Sequence, residues 1–422
     1  MKQISQHGLM SLGGLAIVLA MTALARSDDS PVSMLQANDA PPGRAPLAPG
    51  DGQSSANKEK KDGSALTAPS PDNAQTTPST PDYRSEAGRE ESAASVATSY
   101  VPNMIGDMGG GPRFQILIGK VGEAPRFLAL QAPSPSASLL GAQRLADNDC
   151  TLPTDRVFSD YSYFHDAQLA TPSDANRFVP GFEKTFLDGC MSVEMRFPMG
   201  VLESNDIVAN NSVLGMTGQF GDIQVIVKAI LLQEDTWTLG MGMGISIPTA
   251  PDVNIGAANG GQLMKIANNS THLLPYVGLL VKPNDDWFAQ AFVQVDVAAN
   301  GDSVSANLTG NGLTSVGDIY DQSLVFADVA VGRWLYRNPD QRFSGLAAVV
   351  ETHYTGGLNA PSTVQANGFS IGYNTPKFNV LDLIVGAHAV VGQTTITAGF
   401  ATPATDDRGF DGEFRFFVNR KF

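Results

Sequence analysis

The sequence predicts an all-β protein: a single transmembrane antiparallel β-barrel of about 12 strands behind a disordered N-terminal tail. Three observations carry this. Between residues 237 and 247, Trp237, Leu239, Met241, Met243, Ile245 and Ile247 alternate with Thr238, Gly240, Gly242, Gly244 and Ser246. One face of that strand is therefore apolar, and the other is too small and polar to pack a second layer. Amphipathic runs of this kind recur to the C-terminus, separated by connections that are alternately short and long, as in outer-membrane barrels with turns toward the periplasm and loops toward the outside. No unbroken apolar stretch of ~18 residues follows the N-terminus, so any membrane span has to be made of strands.

Taken in order, residues 1–25 read as a cleaved signal peptide. Lys2 precedes an apolar run over 9–24, and Ala23 and Ala25 form a small-residue cleavage site. The destination is the bacterial outer membrane. Residues 26–99 are Pro, Ser, Ala, Asp and Lys with few β-branched or aromatic clusters, too little apolar surface to offset the entropy of ordering. As a coil this tail would span roughly 50 Å in the periplasm, within reach of the cell wall. Residues 100–149 form a pre-barrel segment with Met104-Ile105-Gly106-Asp107 and short strand-like runs at 113–121 and 126–130. They suit a barrel strand, a lumenal plug or a periplasmic ornament. The formal charge of -15 excludes a surface built for nucleic-acid phosphates.

The barrel is expected over 150–422. Strands read at 156–165, 182–187, 191–197, twice within 220–249, and at 272–281, 287–297, 324–335, 343–354, 380–391, 394–401 and 413–422. Short turns fall at 188–189, 232–235, 282–286, 337–341 and 392–393; long polar loops fall at 167–177, 199–219, 250–271, 299–322, 355–379 and 402–410. This topology puts the only cysteines, Cys150 and Cys190, on the periplasmic side, a candidate disulfide in an exported chain, with two free thiols as the alternative. In the closing strand Phe414, Phe416, Val418 and Phe422 share the outward face, opposite Glu413, Arg415, Asn419 and Lys421. A terminal aromatic on such a strand resembles the signal read by the barrel assembly machinery. The expected partners are that machinery, outer-membrane lipid and, through the tail, the cell wall.

In this register the lumen is lined by Glu194, Arg196, Gln224, Lys228, Gln290, Gln294, Asp296, Asp328, Glu351, His353, Asp382, His388, Glu413 and Arg415. Mixed charge there could shape an electric field across a constriction, or be neutralised in a closed barrel. Phe288 and Phe292 add apolar surface to the same face. About 12 strands lies between the ~8 whose interior side chains can fill and the 16–18 that leave an aqueous channel. The glycine row on the inner face predicts that Gly242→Ser is tolerated, and that a charge at Met243 blocks assembly.

The run Phe220-Gly221-Asp222-Ile223, a charged turn, then Trp237-x-Leu239 and a Gly-alternating strand ending Pro248-Thr249 resembles the outer-membrane channels labelled phenol-degradation meta-pathway proteins, a group loosely related to long-chain fatty-acid transporter barrels. Asp155-Arg156-Val157-Phe158 and Phe182-Glu183-Lys184-Thr185-Phe186-Leu187-Asp188-Gly189 resemble the same kind of barrel. The resemblance spans 100–422 and implies fold and location rather than substrate. Ala250 departs from it, standing where that group commonly has glycine.

Catalysis is not expected. G-x-S-x-G, H-E-x-x-H and C-x-x-C are absent, and no cofactor or metal is called for. Glu351 with His353, and Asp382 with His388, share inward faces and are the residues a metal or acid–base site would use. The leading expectation is a channel or porin for small, hydrophobic or aromatic solutes. The alternatives are a structural barrel tied to the cell wall by its tail, a barrel hydrolase, and a soluble exported sandwich.

Overall fold

A computed structural model of the protein describes residues 100–107, 115–120, 130–133, 140, 144–168, 173–204, 206–209, 215–257, 259–360, 362–373 and 378–422. The expected signal peptide and tail lie outside the described residues. Ahead of the barrel come β1 (Gln115–Lys120) and β2 (Leu130–Pro133). The wall starts with β3 (Arg156–Ala167), β4 (Ser173–Phe186) and β5 (Met191–Arg196). A long connection carries β6 (Met199–Glu203), β7 (Asp206–Ala209) and β8 (Met216–Phe220). The wall resumes with β9 (Ile223–Gln233) and β10 (Trp237–Ile247), and the next connection carries β11 (Val253–Ala257) and β12 (Gln262–Ile266). Then β13 (His272–Val281) and β14 (Trp287–Ala298) are wall, and β15 (Asp302–Ala306) and β16 (Thr314–Ile319) are not. After wall strands β17 (Leu324–Arg337) and β18 (Phe343–Gly357) come β19 (Thr363–Ala366) and β20 (Phe369–Tyr373). The wall ends with β21 (Asn379–Val391), β22 (Thr394–Pro403) and β23 (Gly412–Lys421).

The 12 wall strands pair antiparallel, and β3 pairs with both β23 and β4, which closes the ring. Closure leaves no open sheet edge in the wall. The two-residue side-chain period sorts each strand. Val293, Val350 and Val385 point out and are more than half exposed, while Gln294, Glu351 and Ile384 beside them are buried inside.

Two expectations about the connections are corrected. The long loop expected at 167–177 is short, because β4 begins at Ser173 and reaches 14 residues. Pro180 and Gly181, residue types disfavoured in strand interiors, both sit inside β4, paired with Ser159 and Phe158 of β3. The other long segments, apart from 402–410, hold strands of their own. β6 continues the wall edge beside β4, with β8 paired to it. β7, β11, β12, β15 and β16 form a five-stranded sheet, and β19, β20, β1 and β2 form a four-stranded one. Ile207, Val253, Ile255, Met264, Ile266, Val304, Ala306, Ile319 and Ile371 make a separate apolar core there. One to four such residues per loop look like noise in a polar segment; assembled from four loops they make a cap.

Residues 100–107 and 144–155 cross the barrel interior in opposite directions, and we call them the strap. Tyr100 lies at the turn end, its ring 6.2 Å from that of Trp334, and Asp107 lies in the loop-side half beside Arg144. The two passes bond to each other, Met104 N donating to Asp149 O at 2.8 Å. Met104, Ile105, Leu145 and Ala146 are fully buried in one cluster with wall residues Ile226, Phe292, Val349 and Ile384. The wall makes room for the strap with glycine: a Cβ at Gly386 would lie 2.3 Å from Ile105 Cδ1.

Candidate functional site

The inner wall carries two charged arcs. Adjacent strands β23, β3, β4, β5 and β9 present five cations (Arg156, Arg177, Arg196, Lys228, Arg415) and four carboxyl groups (Asp160, Glu183, Glu194, Glu413), all buried. β17, β18 and β21 present Asp328, Glu351, His353 and Asp382. β4 and β18, at the centres of these arcs, stand five and seven strands apart around the ring, nearly opposite.

The strap bridges the two arcs with complementary groups. Asp147 accepts from Arg177 and Arg415. Asp149 accepts from Lys228, whose ammonium also lies 3.0 Å from Glu183 Oε2 and 2.9 Å from Glu194 Oε2. Arg156 clasps the same carboxylates, Nε donating to Glu183 at 2.8 Å and Nη2 to Glu194 at 2.7 Å. On the other side Arg144 donates to Asp328 and to Thr355 Oγ1. His353 is gripped there by Asp328 Oδ1 and Glu351 Oε2, each 2.9 Å away. Burying charge is tolerable only when each ion is paired and hydrogen-bonded, and the strap completes that pairing.

All 14 side chains expected to line the lumen are buried on the inner face, none above 5% exposed. The structure gathers Glu194, Arg196 and Lys228 around Asp149, and Asp328, Glu351 and His353 around Arg144 and Ile105. It keeps His388 apart, on Thr397 Oγ1 at 2.8 Å, and sends Asp296 to His272 at the loop end. Phe292 packs on Tyr276 and Phe288 on Trp334. Arg144, Asp147 and Asp149 lie in no periodic run, so alternation does not point to them. Arg177 ends the segment expected as a loop at 167–177, yet lies inside β4. Arg156 and Glu183 stand at inward register positions that alternation does mark.

The Cys150–Cys190 bond is a correction: both thiols are free. Cys150 is buried on the strap inside the wall, whereas Cys190 is exposed on the turn between β4 and β5. Phe414, Phe416 and Phe422 are exposed on the outer face, and Phe417 is buried inward.

Asp149, Glu183 and Glu194 lie close enough to hold a cation, but Lys228 already occupies their centre. Ser270, His272 and Asp296 have the order of a nucleophile, base and orienter: Ser270 Oγ is 3.2 Å from Nε2, and Nδ1 is 2.6 Å from Asp296 Oδ1. Asp321 meets the same Nε2 at 3.0 Å, and Ser270, 1% exposed, donates to Asn300 O at 2.9 Å. The group fastens two loops to β13 and presents no accessible nucleophile. At the turn end a cavity of about 190 Å³ is lined by Tyr100, Val101, Phe288, Trp334, Lys282 and Arg337. Burial, with Arg337 nearby, lowers the pKa of Lys282.

No family model matches this sequence, and no curated protein matches it; the resemblance to the phenol-degradation channel group is not extended by either. Among solved structures, an outer membrane channel from Pseudomonas putida F1 is similar at 12% identity, over 64% of this chain and 97% of that one, with a TM-score of 0.44. The β domain of the Bordetella autotransporter BrkA matches at 11% identity, over 64% and 100%, with a TM-score of 0.41. The Pseudomonas putida toluene transporter TodX matches at 10% identity, over 76% and 99%, with a TM-score of 0.34. Likeness this distant assigns no family, substrate or activity.

Proposed function

We propose that this protein is an outer-membrane β-barrel channel for small solutes, held closed at rest by its strap. The observation that carries the reading is the chemistry of the wall beneath the strap. A barrel with only a structural role is better served by an apolar filling, because buried ion pairs are often no more stabilising than hydrophobic side chains of the same volume. Here the inner face instead keeps five cations and their carboxylates. It also keeps polar atoms that no described residue bonds: both amide atoms of Gln224, Ser162 Oγ, Gln294 Nε2 and His388 Nε2. Left dry, each such group costs about 1–3 kcal/mol. With the strap withdrawn, water would reach them all. The outward apolar belt, with Trp287 43% exposed at the turn rim, supports a membrane setting.

Planar-bilayer recording tests this with the wild-type chain beside Asp147→Asn/Asp149→Asn, which removes the strap's grip on the cationic arc. The wild type should be mostly silent and the variant should conduct. Silence in both, from protein inserted and folded, would favour the alternative of a structural barrel.

A further inference from the structure

Besides its charged side chains, the strap is held by its peptide backbone. Glu351 accepts from two consecutive amides, Oε1 from Ile105 N at 2.8 Å and Oε2 from Gly106 N at 2.9 Å. Gln294 Oε1 accepts from Leu145 N at 2.7 Å, and Gln290 Nε2 donates to Pro102 O at 2.9 Å. Arg196 donates to the carbonyls of Arg144 and Leu145 at 3.1 and 3.2 Å, and Arg156 to that of Asn148 at 2.8 Å. All five wall side chains are buried and converge on the lumen. Groups of this kind recognise any peptide, since every residue but proline offers the same donor and acceptor.

The charges add an orientation. The strap sets one guanidinium, Arg144, against Asp328 on one arc, and carboxylates Asp147 and Asp149 against Arg177, Arg415 and Lys228 on the other. A free peptide carries the same pair of charges at its ends, an ammonium and a carboxylate. A neutral or purely apolar solute would leave buried amide acceptors and both arcs unanswered, and unpaired polar groups in a site are what make it reject a ligand.

From this we infer that the solutes of the barrel are short peptides with free termini, and that the strap is a resident surrogate seated in their binding site. The inference rests on the channel reading for the strap's ability to leave, and it adds the chemical class of what replaces it. It also sets the expected hydrophobic or aromatic solute aside. Phe288, Phe292 and Tyr276 are engaged with other rings, while the polar groups of the wall are the ones engaged with the strap.

Calorimetric titration of full-length Asp147→Asn/Asp149→Asn in detergent, with no current measured, is the test. Tetra-alanine should bind saturably, and its acetylated, amidated form should bind at least tenfold more weakly, as expected for loss of charge-assisted hydrogen bonds. Equal affinity for the two forms, or for benzyl alcohol, would overturn the peptide assignment. So would a lack of binding by a variant that conducts, and the channel reading would then survive alone. A variant that binds tetra-alanine without ever conducting would sink the channel reading and leave the site standing. If the double variant does not fold, the wild type serves. Millimolar tetra-alanine should then compete with the strap and speed labelling of Cys150 by a maleimide severalfold; no acceleration, or equal acceleration by the capped peptide, refutes the inference.

Discussion

Replacing Asp147 with asparagine isolates the strap's hold on the wall. The carboxylate bridges Arg177 and Arg415, whose side chains are 1% and 0% exposed. Arg415 keeps Glu413 at 3.5 Å, but Arg177 has no second ion pair among the described residues. Removing one member of a buried pair costs about 3–5 kcal/mol, because the partner stays desolvated without its counter-charge. That cost belongs to the docked strap alone; once it withdraws, both guanidiniums meet lumen water. Docking should therefore weaken by roughly a hundredfold to a few thousandfold, at about 1.4 kcal/mol per tenfold. The chain carries its own reporters. Cys150 is buried on the strap, and Cys190 is exposed on a turn and marks the intrinsic rate. In wild type a maleimide should label Cys190 quickly and Cys150 slowly. In Asp147→Asn the Cys150 rate should rise by a factor within that range, and Cys190 should not change. An unchanged Cys150 rate in a folded variant would show that the strap is a fixed filling of the barrel.

Two further perturbations test the wall. Met243 is outward and 41% exposed; Met243→Lys should cost about 2–4 kcal/mol, the figure for a cation near the bilayer midplane, seen as a lower urea midpoint in lipid vesicles. Gly242→Ser, harmless by strand alternation alone, should lower that midpoint too. A Cβ there would lie 2.3 Å from both Tyr276 Cε1 and Val227 O, and the carbonyl cannot yield. Overpacking of this kind costs about 1–3 kcal/mol.

The contrast between those two positions shows what was legible. Met243 and Gly242 are neighbours in β10, and their faces follow from alternation alone. What lies against Gly242 does not, because Tyr276 is brought there by the pairing of β10 with β13. The same holds for the loops: β7, β11 and β15 contribute isolated apolar residues whose shared core exists only after four connections meet.

The number of wall strands, which side of each faces out, and the inward placement of the charged residues that fall in alternating runs were determined by the sequence itself; Arg177, at the edge of an expected loop, was not. Each depends on a two-residue period that is local and repeated along every strand. The strap, the cap and the free thiols were decided only by tertiary structure. Residues 144–149 have no period to read, and their contacts reach across as many as 271 positions, from Asn148 to Asn419. A carboxylate in an irregular segment looks solvent-exposed until the fold places two buried guanidiniums around it.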